Sequence, residues 1–464
     1  MKNTCLLVAA IFWVAAATAT VRLPAVISSN MILQQQSRSK LWGWCDPGER
    51  VLVTASWSGR TDSVTGSRDG KWMVEIPTPA AGGPFTITIK GWNTLVLNNV
   101  LVGEVWVCSG QSNMEMSGSW GLPDIREELP QCATNNIHFF HVPRTTAVWP
   151  QEDCKGEWTA CDSNSLKNFS AAAYFFGKKL NASLNVPVGL IEVAWGGTPA
   201  EVWTPAGLVT GNPILQEAAG KQNPSDGWPY APGYCYNGMI APLTAFNIAG
   251  AIWYQGEGNT AAPRSYSQLF STMIGSWRAA WGKKLPFYFV QIAPFTYGAK
   301  DQGSLLREQQ ARTLSLENTG MVVISDITGD TADIHPKNKH DVGFRLANWA
   351  LAETYHQPGI VYKSPAYKDM QVKGNKIILN IADAGGSLVV REGPVRSMVV
   401  AGADRVFYPA EVRVAGNQVT VWSQQVKAPV AVRYQFSNAG VGNVFSAAGL
   451  PLAPFRTDDW EVGQ

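Results

Sequence analysis

A surplus of charge of either sign is what this sequence most plainly lacks. Its 37 lysines and arginines stand against 35 aspartates and glutamates, spread without runs, for a net charge of +2. Such a balance offers no field for a polyanion, and nucleic acid is not expected as a partner. Histidine is scarce, with five in 464 residues, so any chemistry needing an imidazole has few places to reside. No paired CxxC spacing suggests a structural zinc site. Internal repeats and low-complexity tracts are absent. Past the first residues, no apolar run approaches the roughly 20 residues that span a bilayer.

What is present starts with Lys2 and an apolar run from Leu6 to Ala17, followed by Ala17-Thr18-Ala19. A basic start, a short apolar stretch and a small-x-small step are the layout of a secretory signal peptide, here residues 1–19. The expectation is an exported protein, secreted or periplasmic, with no membrane insertion after cleavage. Six cysteines remain beyond Cys5, and a disulfide is expected among Cys132, Cys154 and Cys161, which lie close in sequence.

Three textures follow one another along the chain. Residues 22–100 alternate in short runs (KLWGW, RVLVTASW, KWMVEI, PFTITIKG, TLVLNNVLV) between turn signals such as DPGE and RDGK. That spacing predicts an N-terminal β-sandwich. From 101 to 357, strand-like segments (Val105–Cys108, Val188–Ala194, Ile248–Tyr254, Phe287–Ile292, Met321–Asp326) alternate with helical periodicity over 166–184, 266–281, 304–317 and 341–355. Alternation of this kind predicts an α/β domain with a largely parallel sheet covered by helices on both faces. Strand texture returns over 365–464 and predicts a second, C-terminal β-sandwich.

In open α/β sheets, ligands gather at the carboxyl ends of the strands. Reading each central strand to its end collects Ser109-Gly110-Gln111-Ser112-Asn113-Met114, Trp195-Gly196-Gly197-Thr198, Gln255-Gly256-Glu257-Gly258-Asn259 and Asp333-Ile334-His335-Pro336. A serine hydroxyl is a poor nucleophile until a base takes its proton. Of the five histidines, His138 and His141 sit in a strand, and His340 and His356 flank the last helix. Only His335 lies in a loop after a sheet strand, beside an acid. Ser112 is its natural partner, although a serine at a strand-to-helix turn can equally be an N-cap. The common nucleophile elbow G-x-S-x-G also fails here, because position 114 is Met.

The string Cys108-Ser109-Gly110-Gln111-Ser112-Asn113-Met114 resembles the nucleophile block of the sialate O-acetylesterase family, a branch of the SGNH hydrolases. Trp195-Gly196-Gly197-Thr198, Trp253-Tyr254-Gln255-Gly256-Glu257 and Asp333-Ile334-His335-Pro336 resemble its later blocks in the same order. So do Asn30-Met31-Ile32-Leu33-Gln34, Tyr236-Asn237-Gly238-Met239-Ile240-Ala241-Pro242 and the closing Pro454-Phe455-Arg456-Thr457-Asp458. The resemblance implies a three-layer SGNH-type hydrolase core with a parallel sheet, flanked by the two β-domains. It also implies serine-dependent hydrolysis of sugar acetyl esters with no metal and no cofactor.

Carried over by position, Ser112 is the nucleophile and His335 the general base. The N–H groups of Ser112 and Gly197 form the oxyanion hole, with Gln255 or Asn259 as a side-chain donor. The usual Gly-x-Asn-Asp of that third block is absent. The orienting acid is Asp333 or Glu257, with Asp333 favoured, and a neighbouring acid should move the His335 pKa upward. Aromatics near these blocks, Trp195, Trp203, Trp228 and Tyr230, are candidates for stacking on sugar rings. The expected partner is an O-acetylated carbohydrate, foremost O-acetylated sialic acid. Acetylated plant polysaccharide (xylan or xyloglucan) is the alternative, and a non-catalytic glycan-binding protein with an esterase-like core is the reading from another class.

Overall fold

The computed structural model describes residues 21–222 and 226–462. The expected signal peptide lies outside the described residues. Among the described residues, no helix is long and apolar enough to cross a membrane.

A central sheet organises the chain. Its strands are β1 (Thr94–Gly110), β2 (Thr134–His141), β3 (Trp158–Cys161), β4 (Val188–Ala194), β5 (Gly250–Tyr254), β6 (Phe287–Val290) and β7 (Thr319–Val322). They lie in the order β7-β6-β5-β1-β4-β2-β3. All neighbours run parallel except β3, which closes one edge antiparallel to β2. Strands buried on both faces read as nearly continuous apolar runs, as Val188–Ala194 does with all seven residues buried and Glu192 its one charged member.

Alternation along β1 sends Val105 and Val107 into one core and Trp106 and Cys108 into the other. The first core is closed by helix α1 (Tyr266–Trp281), whose Leu269, Phe270, Met273, Ile274 and Trp277 recur at helical spacing. Gly282, at φ +62°, ends that helix in the left-handed conformation that a glycine adopts without strain. The second core is closed by α2 (Ala171–Leu184) and α3 (Lys339–Trp349), through Phe176, Leu180, Val342 and Leu346. Truncating a buried residue such as Phe270 to alanine would cost about 3–5 kcal/mol.

The N-terminal strands are not separated from this sheet by a linker. The run expected as two pieces, TLVLNNVLV and Val105–Cys108, is the single 17-residue strand β1. Its first half pairs antiparallel with Gly82–Lys90 and its second half with β4 and β5. Nucleophile block and N-terminal sheet therefore share one rigid backbone. Beyond residue 365, two four-stranded antiparallel sheets share a separate core of Ile377, Leu379, Val400, Val419, Val421, Val432 and Tyr434.

The expected disulfide is not formed: Cys132, Cys154 and Cys161 are all free thiols. Cys132 and Cys161 instead donate to carbonyls, of Leu129 at 3.4 Å and of Cys132 at 3.2 Å respectively.

Candidate active site

β1 is flanked by β4 and β5, and the three strands end side by side. Gly110 closes β1 at φ +146°, and a Cβ there would lie 2.2 Å from the Tyr254 carbonyl oxygen. Only glycine lets the strands approach this closely before the chain turns. Gln111 is extended, and Ser112 opens a single helical turn, Ser112–Glu115.

Ser112 is not spent on capping. Its Oγ lies 2.9 Å from Nε2 of His335, the geometry a nucleophile and its base require. His335 arrives on the loop between β7 and α3. Asp333 shapes that loop, its Oδ1 accepting the His335 backbone N–H at 2.9 Å. The same oxygen lies 3.7 Å from Nδ1 of the ring, with both side chains partly exposed. Burial, and then the nearby Lys339 cation, hold the imidazole below its ordinary pKa, with Asp333 opposing them. The upward shift expected from the adjacent acid is thus corrected: a solvated carboxylate is outweighed by desolvation and a buried ammonium.

Glu257 is buried and does not contact the ring. Its Oε1 accepts from Asn113 Nδ2 at 2.7 Å, while its Oε2 has no hydrogen-bond partner among the described residues. Burial raises its pKa.

The N–H groups of Ser112 and Gly197 make no hydrogen bond with any described residue. Glu115 fixes the loop carrying Gly197, taking the Gly196 N–H at 2.9 Å and the Arg144 Nε at 2.6 Å. A Cβ on Gly196 would come within 3.2 Å of the Ser112 Cβ, so this loop rests directly on the nucleophile turn.

The side-chain donor expected from Gln255 or Asn259 is corrected, because both amides are already engaged. Gln255 Nε2 donates to Thr198 O at 3.1 Å and Asn259 Oδ1 at 2.7 Å, and Gln255 Oε1 accepts from Tyr266. Asn259 Nδ2 is held by the buried Glu201 at 2.8 Å. Together they brace the β4 and β5 loops.

The aromatic candidates divide. Trp203 is corrected: it is fully buried, donates to Thr198 Oγ1 at 3.0 Å and meets Trp253 edge-on, so it packs the core and no sugar can reach it. Trp195 is half-buried with the Arg144 guanidinium 5.8 Å from its ring. Tyr230 is half-buried. Trp228 is 49% exposed and lies over Gly197, its ring 2.6 Å from where a Cβ would stand.

Sequence reasoning missed three residues. Trp120, 46% exposed, meets the His335 ring edge-on at 5.9 Å. Nothing in its sequence context marks it. Asn113 ties the nucleophile turn to the His335 loop through Ile334 O at 3.1 Å. Lys339 is fully buried and donates to Asn113 Oδ1 at 2.7 Å. A signal for it existed: Lys339 is in helical phase with the buried Val342, Leu346 and Trp349, a charge at a core position.

A strand-end serine held against a loop histidine, with free backbone donors beside it, is the arrangement of an ester hydrolase. The profile of the family described as "Carbohydrate esterase, sialic acid-specific acetylesterase" matches residues 102–352. The chain belongs to that family, and with it to the esterases that act on O-acetylated carbohydrates.

Two similar proteins are the sialate O-acetylesterases of Homo sapiens and Pongo abelii. Each is 29% identical over 399 residues, covering 78% of this chain and 76% of the relative. Among solved structures, a carbohydrate acetylesterase from Xanthomonas citri superposes with a TM-score of 0.87 at 37% identity. The match covers 95% of this chain and all of that one.

Proposed function

We propose that this protein is an exported serine esterase that removes acetyl groups from O-acetylated sialic acid through an acetyl-serine intermediate. The observation that carries the reading is the 2.9 Å contact between Ser112 Oγ and His335 Nε2, beside two uncommitted backbone N–H groups. His335 takes the serine proton as the hydroxyl adds to the acetyl carbonyl. Negative charge on the carbonyl oxygen is met by the N–H groups of Ser112 and Gly197, such donors being worth roughly 3–4 kcal/mol of barrier each. Collapse breaks the bond between the acyl carbon and the sugar oxygen, and that leaving oxygen takes the proton from His335 to become the sugar hydroxyl. Water, deprotonated by the same imidazole, adds to the acetyl-serine, and acetate leaves as Ser112 regains its proton. Asp333 is the orienting acid in this reading, since it is the carboxylate nearest Nδ1.

A second reading, acetylated plant polysaccharide such as xylan or xyloglucan, has its own support. Trp120 and Trp228 present exposed aromatic faces beside the serine–histidine pair, which suit neutral pyranose rings. Sialic acid brings a carboxylate that calls for a cation, and Arg144 is already paired with Glu115. Acetate release from O-acetylated sialic acids, measured against acetylated xylan and xyloglucan, decides between them. Preference for the plant glycans would overturn the first reading. In either case Ser112→Ala should lower turnover of a chromogenic acetate ester roughly a thousand-fold or more while the protein stays folded. A folded variant with near-normal turnover would mean that Ser112 is not the nucleophile.

A further inference from the structure

Behind the nucleophile lies a buried charge arrangement that the acyl-transfer scheme does not use. Lys339, the first residue of α3, is fully buried, yet its ammonium makes one side-chain hydrogen bond, to Asn113 Oδ1. Its Nζ also lies 5.0 Å from the centroid of the Tyr254 ring. The other end of the same amide donates to Glu257 Oε1 and to the Ile334 carbonyl. The sequence in space is thus ammonium, amide oxygen, amide N–H, carboxylate, with a branch onto the residue preceding His335. A cation at an amide oxygen and an anion at its N–H polarise the group in the same sense and strengthen both bonds. Burying an ammonium and a carboxylate opposes folding unless other interactions compensate, and here Glu257 keeps one oxygen unpartnered.

We infer that Lys339 is a positioning residue of this site. Through the Asn113 amide it holds the His335 loop against the nucleophile turn, and its buried charge biases the imidazole toward the neutral, proton-accepting form. The inference rests on the serine–histidine reading given above. The groups facing this ammonium are Glu257 and Tyr254 from β5 and its loop, Asp333 from the His335 loop, and Asp124. The last accepts the backbone N–H groups of Lys339 and His340 at 2.9 and 3.1 Å. His335 itself faces Lys339 and Asp333. Burial brings the Lys339 pKa down to about 7. The cation is therefore in place over the acidic range in which His335 gains its own proton.

The test reads the imidazole directly. The His335 ring is titrated by NMR in Ser112→Ala protein, with and without Lys339→Met, and kcat/KM is followed against pH in the corresponding active enzymes. Lys339→Met alone strands the Glu257 carboxylate and can fail to fold. The paired change Lys339→Met/Glu257→Gln removes both charges and is expected to fold, as neutral replacements of buried ion pairs commonly do.

In the paired variant the His335 pKa should rise by roughly half a unit or more, because the ammonium that lowers it is gone while Glu257, removed with it, is not among the groups that shift the ring. The acid limb of kcat/KM should move upward with it. A loss of activity or stability with the titration unmoved would overturn the inference and leave Lys339 a packing residue. A titration that moves as expected while the acid limb stays put would instead count against His335 as the base. The two readings therefore fail separately.

Discussion

Gly197→Ala tests whether the backbone of the β4 loop takes part in the chemistry. Gly197 sits at φ +75°, where a side chain costs roughly 1–2 kcal/mol. The new methyl would also stand 2.6 Å from the Trp228 ring, far inside contact distance. Trp228 is half exposed, so the ring can swing outward and the clash alone is relieved cheaply. The dihedral strain cannot be relieved that way, and its natural release is rotation of the peptide that carries the Gly197 N–H. Losing one oxyanion donor costs about a hundred- to a thousand-fold in kcat; partial rotation should cost at least about tenfold, with KM changed little. Steady-state kinetics on a small acetate ester, alongside thermal unfolding, provide the measurement. Gly197→Ala/Trp228→Ala separates the two causes, because removing the ring relieves the clash but not the dihedral. Recovery of full kcat in the double variant, or an undiminished kcat in Gly197→Ala itself, would refute a donor role for this N–H.

The kcat/KM of the unmodified enzyme should rise with pH through one ionisation below about 6.5, since burial and Lys339 depress the His335 pKa and the base works only when neutral. An acid limb above that value would contradict the assignment of these neighbours. Asp333→Asn should lower kcat by about ten- to a hundred-fold, well short of the roughly ten-thousand-fold seen for a buried triad aspartate, because Asp333 is partly exposed and 3.7 Å from the ring. Glu257→Gln should mainly lower stability, with Lys339 left uncompensated; a larger kcat loss there than in Asp333→Asn would reverse the choice of acid. Trp120→Ala should raise KM for a glycan substrate while leaving turnover of a small acetate ester within about threefold, as loss of a stacking face does.

Much of this arrangement was legible because strand ends announce themselves. Buried strands read as apolar runs, the residues following them gather at one edge, and a chain with five histidines leaves few bases to choose from. Helix 266–281 was legible for a similar reason, with six buried residues in phase. What periodicity could not decide was the use of a polar or aromatic side chain once placed. Gln255 and Asn259 end the right strand, but whether an amide faces a substrate or a neighbouring loop depends on contacts made far along the chain, with Thr198 and Glu201. Trp203 follows a site loop by only a few residues, yet the whole turn that carries it, Ala200–Trp203, is buried. The extent of β1 was hidden by Gly103 and Glu104, which break the apolar pattern where the strand leaves its pairing with Gly82–Lys90 and begins pairing with β4.

The two carboxylates near the site take different places for a physical reason. An acid that steadies an imidazolium is most effective when dry, yet a dry carboxylate in direct contact would raise the resting pKa and leave the base protonated at mildly acidic pH. Here the exposed Asp333 stands beside the ring, screened by solvent, and the buried Glu257 is bonded instead to Asn113. The Lys339 charge then tips the resting imidazole further toward its neutral form. In the proposed mechanism the cost is a less stabilised imidazolium once Ser112 has given up its proton. It is offset where the charge is actually made, by backbone donors at the acyl oxygen that need no reorganisation. On this account the site draws its rate from the oxyanion side more than from the acid, so complete loss of one oxyanion donor should cost more than loss of the Asp333 carboxylate.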